Sequence, residues 1–114
     1  MTDPLSTRFA NAQPGEERGL LEELFFARFP TEHTWPTDDW RARFTAMLAC
    51  GAYLSAVEML VQPGYFWSIT MRGTNRGGFH ACYLREGNMD WIEAATAAFA
   101  LGSAIAKALE AQDA

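Results

Sequence analysis

Apolar residues recur at helical spacing through the first half of the chain. Between Pro14 and Phe29 they form one stripe, and Glu16 and Glu17 stand where the first turn of a helix favours negative charge. A second stretch begins at the N-cap residue Thr37 and continues to residue 61. Gly51 interrupts this second stretch, so the pattern allows one helix or two helices that meet there.

The pattern changes to strand-like alternation after the stop at residues 63–64. Residues 65–71 and 78–84 are rich in aromatic and β-branched side chains, and glycines and Asn75 lie between them. These runs predict an antiparallel hairpin. Helical spacing resumes after Asp90, which with Glu93 resembles a capping box, so we predict a final helix from residue 91 to about residue 110.

These elements together predict one α+β domain over residues 15–114. Its antiparallel hairpin-centred sheet would be packed by the N-terminal helices and the long C-terminal helix, as a helix–sheet–helix sandwich. Residues 1–14 are polar and contain two prolines, which predicts a flexible arm. A length of 114 residues fits a single domain.

Composition and charge narrow the classes of function. Apolar residues make up 49% of the chain, which predicts a globular protein, and the net charge of -5 argues against sequence-specific binding of duplex DNA. Cys50 and Cys82 lack a metal-binding spacing, and we expect both to be reduced and buried. With no secretory signal and no membrane-spanning run, the expected location is the cytoplasm.

Three segments of the second half carry a resemblance to a known group. They are AYLSAVEML at 52–60, PGYFW at 63–67 and EAATAAFAL at 93–101. In this order they resemble the phage ABA sandwich domain group of small tailed-phage and prophage proteins. The resemblance implies a helix–sheet–helix fold and a phage protein acting inside a host bacterial cell. It supplies no catalytic residues.

The hairpin is the first predicted binding site, because it concentrates positive charge and aromatic rings in an acidic chain. Its candidate residues are Arg72, Thr74, Asn75 and Arg76 at the tip, with Phe66, Phe79, His80 and Tyr83 on the strands. A solvated turn and a buried core explain the same residues without a ligand. The second choice is an acidic surface on the first helix, formed by Glu16, Glu17, Glu22 and Glu23.

The sequence has no nucleophile elbow and no metal-ligand spacing, so we predict a protein that is not an enzyme and needs no cofactor or metal. The first hypothesis for function is a phage-encoded binding protein that inhibits a host defence protein. The alternatives are a sponge for a phosphorylated nucleotide signal and an accessory of phage assembly. Unpaired strand edges and aromatic residues on both hairpin faces also predict a homodimer. No contact with a membrane is expected, because the sequence has no membrane-spanning run.

Overall fold

The computed structural model describes residues 3–71, 79–84 and 92–112, and more than half of these residues are helical. Five α-helices, three β-strands and one 3-10 turn (Glu32–Thr34) lie within these residues. The helices are α1 (Leu5–Ala10), α2 (Glu17–Arg28), α3 (Asp38–Ala49), α4 (Tyr53–Glu58) and α5 (Ala97–Gln112). The strands are β1 (Phe66–Met71), β2 (Phe79–Leu84) and β3 (Ile92–Ala94).

The prediction of a sheet-centred α+β sandwich is wrong, because the fold is mostly helical and its core lies among helices. Nine consecutive residues of α5, 98–106, are buried, and α5 contacts α1, α2 and α4 as well as the strands. Of the core side chains that the structure describes, Ala94 is the one that a strand contributes. Small residues along α5 let the other helices approach it directly.

The strands form a short antiparallel ladder in the order β1–β2–β3. Trp67 lies opposite Tyr83, and Thr70 lies opposite His80. The predicted pairing of the two runs is therefore confirmed for residues 66–71 and 79–84. Hydrophobic alternation together with glycine-rich turn chemistry was sufficient to identify this pairing.

The predicted start of the last helix is wrong by about six residues. Residues 92–94 form β3, in which Ile92 lies opposite Ala81 of β2, and α5 begins at Ala97. The Thr96 hydroxyl accepts a hydrogen bond from the backbone N–H of Phe99 at 3.1 Å. Thr96 therefore serves as the N-cap that the sequence analysis assigned to Asp90, which lies outside the described residues.

The predicted flexible arm contains α1, which packs on α5. The Phe9 ring is fully buried there, and a Cβ atom at Gly102 would lie 2.6 Å from its Cε1 atom. The Ser6 hydroxyl donates to Glu110 at 2.6 Å, and the Ser103 hydroxyl donates to the Ser6 carbonyl at 2.7 Å. The arm prediction is therefore wrong for this segment, because the buried Phe9 ring and the bonds of Ser6 fix this short helix on α5.

The second helical stretch consists of two helices, which resolves the alternative that the sequence left open. Thr37 caps α3 as predicted, accepting from the Trp40 N–H at 3.2 Å. Gly51, with φ of 80°, separates α3 from α4. Cys50 ends α3 and is exposed, contrary to the expectation that it is buried.

No helix within the described ranges has the length and apolar content to cross a membrane.

Candidate functional site

The predicted hairpin site stays a prediction. Its tip residues, Arg72, Thr74, Asn75 and Arg76, lie outside the described residues. Phe66, Phe79, His80 and Tyr83 lie on β1 and β2, where the structure describes the backbone and its register but not their side chains. Trp67, which the sequence analysis did not include in the site, is 38% exposed on β1.

The predicted acidic surface is partly neutralised by two arginines. Arg8 of α1 donates two hydrogen bonds to Glu23, at 2.7 and 2.6 Å, and these bonds raise the pKa of its guanidinium. Arg18 pairs with Glu22 at 3.3 Å along α2. The two glutamates on the outer side of α2 therefore present less free negative charge than the sequence indicates.

The two remaining members of that surface, Glu16 and Glu17, hold the backbone before α2. Glu16 accepts from the N–H of Gln13 at 3.3 Å, and Glu17 accepts from the N–H of Gly15. Both glutamates thus have a local structural role at the N-terminus of the helix.

Within the described residues, no three His, Cys, Asp or Glu side chains are placed so that they could hold a metal ion.

A cluster of six aromatic side chains joins α2 to α3. Its centre is the Phe25 ring, whose centroid lies 5.2 to 6.0 Å from those of five others: Phe26, Phe29, Trp35, Trp40 and Phe44. The i,i+4 spacing of Phe25 with Phe29 and of Trp40 with Phe44 places each pair on one helix face. Trp35 belongs to the connecting loop, and its indole N–H donates to the Phe29 carbonyl at 3.1 Å.

Beside this cluster lies an open cavity of about 340 Å³, which we call the aromatic groove. Phe25, Phe44 and Leu48 are its buried apolar residues, and Phe26 and Trp35 stand at its sides. Its charged and polar rim consists of Arg18, Glu22, Arg41 and Thr45. Phe26 is 56% exposed. Among the described residues, no other large apolar side chain is exposed to the same extent.

The rim of the aromatic groove carries two arginines and one glutamate, and each arginine is paired with a carboxylate. Arg18 pairs with Glu22, and Arg41 pairs with Asp38, three residues before it on α3. The Arg41 guanidinium also lies 5.2 Å from the centroid of Trp35, within the range of a cation–π contact. The groove lining itself therefore carries two positive groups and one negative group, in a chain whose net charge is -5.

The sequence pattern did not predict this groove, although it contained one signal of it. Phe26 does not belong to the apolar stripe of α2, which consists of Leu20, Leu21, Leu24, Phe25 and Phe29. A large apolar residue outside the buried stripe of a helix indicates an exposed contact. The position of Trp35 carried no such signal, because packing on Phe25 and a hydrogen bond to the Phe29 carbonyl fix this loop residue.

Comparison with protein-family models, with curated proteins and with solved structures gives no match. The resemblance to the phage ABA sandwich group therefore stays a prediction.

Proposed function

We propose that this protein is a non-enzymatic binding protein that contacts another polypeptide through the aromatic groove. The observation that carries the proposal is the exposed Phe26 ring at the edge of the apolar cavity. Removal of apolar surface from water favours association. A binding partner would remove both the ring and the cavity from water at once.

The composition of the groove supports a polypeptide as its ligand. Residues that dominate protein–protein binding energy are enriched in Trp, Tyr and Arg, and they lie in apolar patches with polar rims. The groove combines Trp35 and Arg41 with a rim of paired charges. The Phe26 side chain is also more than half exposed where it lines the groove, which suits contact with a polypeptide surface better than enclosure of a small molecule.

The wider biological hypotheses remain predictions. Inhibition of a host defence protein depends on the sequence resemblance and on the acidic composition. The nucleotide sponge depends on Arg72 and Arg76, which lie outside the described residues. The role in phage assembly, the absence of a cofactor and the cytoplasmic location are likewise expectations. The groove itself supports the more general function of polypeptide binding.

Site-specific photo-crosslinking in the natural host cell tests the proposal. A benzophenone amino acid would replace Phe26 in one variant and Leu54 in a matched control. Leu54 is also an exposed apolar helix residue, at 37% exposure, but it does not line the groove. We expect one discrete covalent product from position 26, because the partner covers that ring.

Two further results decide the outcome. The product should disappear when Thr45 is also replaced by arginine, because Thr45 lines the groove and a long charged side chain there blocks it. The same product should persist with Ala46→Arg, since Ala46 is exposed on the same helix but does not line the groove. Equal crosslinking from positions 26 and 54, or none from position 26, would refute the proposal.

A further inference from the structure

We propose that a cavity near the C-terminal end of α5 binds a small organic ammonium ion with an apolar body. This cavity, which we call the terminal cavity, has a volume of about 500 Å³ and is lined by six apolar residues and Glu110. It lies where the start of α1, the end of α2 and the last turns of α5 meet. It shares no lining residue with the aromatic groove, so the inference is independent of the proposed function.

The walls of the terminal cavity resemble those of a small-molecule site. The apolar lining residues are Pro4, Leu5, Ala27, Pro30, Ala106 and Leu109. Small-molecule sites are typically concave, about 300–1,000 Å³ in volume and mostly apolar, with a few polar groups that fix the orientation of the ligand. The terminal cavity has this size and these walls, and Glu110 is its charged group.

Glu110 brings a negative charge to the cavity. Its Oε2 atom accepts from the Ser6 N–H at 3.1 Å, and its Oε1 atom accepts from the Ser6 hydroxyl at 2.6 Å. Both donors are neutral, so these bonds do not compensate the charge. In the described part of the chain no lysine or arginine forms an ion pair with Glu110, and Lys107, three residues before it, does not line the cavity. An ionised carboxylate has about four lone-pair sites, so Glu110 can accept further hydrogen bonds.

This combination favours an organic cation over other ligands. A calcium ion takes about six to eight oxygen ligands, whereas Glu110 is the only side chain of the lining that carries oxygen. An anion would be repelled by the carboxylate. A protonated primary amine can donate to Glu110, and its hydrocarbon body removes the apolar walls from water. The ligand class is therefore a small protonated amine with a hydrocarbon body.

Titration of the purified full chain with three probes, followed by nuclear magnetic resonance, tests the inference. The probes are hexylammonium, hexan-1-ol and hexanoate, which share a six-carbon skeleton and differ in charge, and the buffer is phosphate, which contains no amine. Hexylammonium should bind about 10-fold more tightly than hexan-1-ol, because a hydrogen bond between charged groups is stronger than one with a neutral donor. Hexanoate should bind more weakly than hexan-1-ol, since Glu110 repels it.

Two variants and a matched control locate the site. Glu110→Gln removes the charge and keeps an oxygen that can accept from Ser6, so hexylammonium should bind only as tightly as hexan-1-ol. Ala27→Trp fills the cavity from an exposed position of α2 and should abolish binding of both probes. Ala46→Trp, at an exposed alanine of α3 that does not line the cavity, should bind hexylammonium as the wild type does. Circular dichroism and thermal melting verify that each variant keeps the fold.

Several results would overturn the inference. Hexylammonium that does not bind the wild type, or binds no more tightly than hexan-1-ol, excludes an ammonium site. Unchanged binding by Glu110→Gln excludes this carboxylate as the partner of the amine, and unchanged binding by Ala27→Trp places the amine elsewhere. If Glu110→Gln does not fold, Ala27→Trp and the comparison of probes decide the outcome. None of these results bears on Phe26, so the crosslinking experiment decides the proposed function separately.

Discussion

Replacing Gly102 with alanine tests how α1 is fastened to the core. A Cβ atom at this position would lie 2.6, 2.8 and 3.0 Å from three carbons of the Phe9 ring. The ring is fully buried, so it cannot rotate out into solvent. Such contacts are far inside van der Waals distance, and they force Phe9 or the helix to move.

Two opposite contributions determine the size of the effect. Alanine in a helix interior is more favourable than glycine by about 1 kcal/mol. Overpacking of a closely packed core costs about 1–3 kcal/mol, and the rigid ring places this site near the upper end. We therefore expect Gly102→Ala to lower the free energy of unfolding by about 1–2 kcal/mol. Chemical denaturation followed by circular dichroism measures it.

Gly19 provides a matched control on another helix. It lies in α2, is exposed, and has no atom within 4 Å of a Cβ built on it. Gly19→Ala should therefore stabilise the protein by about 1 kcal/mol, from helix propensity alone. The same Gly→Ala substitution should thus change the free energy of unfolding in opposite directions at the two helical glycines, because the Phe9 ring lies against Gly102 and not against Gly19.

A double-mutant cycle isolates that cause. In a Phe9→Leu background the clashing ring carbons are gone, so Gly102→Ala should become neutral or stabilising. If Gly102→Ala stabilises the wild-type chain as much as Gly19→Ala does, α1 does not pack on α5 as described. The same conclusion follows if Phe9→Leu leaves the cost of Gly102→Ala unchanged.

Two other contacts give further predictions. Thr96→Ala removes the N-cap of α5 and should lower the free energy of unfolding by about 1 kcal/mol, with Thr96→Ser close to the wild type in the same denaturation assay. Glu110→Ala removes the acceptor of the Ser6 hydroxyl and N–H and should cost about 1–2 kcal/mol. Hydrogen exchange should then quicken first in α1, and uniform quickening across all helices would contradict this role of Glu110.

The sequence was informative where apolar spacing is long and regular. The stripe from Leu20 to Phe29 predicted α2, and Thr37 predicted the start of α3, because a helix of three turns must bury one face. The hairpin pairing followed from alternation on both sides of a glycine-rich turn. These patterns are local, so no knowledge of the tertiary structure was needed.

Short elements held by distant contacts could not be predicted in the same way. Helix α1 has six residues, and Phe9 is its buried side chain, with its packing space made by Gly102 far along the chain. Strand β3 has three residues, too few to distinguish alternation from the first turn of a helix. The predicted fold class was wrong for this reason, because it placed the hairpin at the centre of the fold, where the structure has α5.

The candidate site was missed because its parts come from separate elements. Phe26 and Arg18 lie on α2, Trp35 lies in the loop, and Arg41 lies on α3. Only the packing of α2 against α3 brings these residues to one cavity. The prediction of a binding site instead followed the local concentration of arginine and aromatic residues in the hairpin sequence.

The central claim is that Phe26 is covered by a partner polypeptide in the functional form. Incorporating 4-fluorophenylalanine at position 26 alone tests it most directly, since the shift of the fluorine resonance between H2O and D2O reports contact with solvent. We predict a large solvent shift for the chain alone, a small one when the partner captured by crosslinking is added, and a large one with or without that partner in the Thr45→Arg variant. A fluorine that stays fully solvent-exposed in the wild type with the partner added would contradict the account.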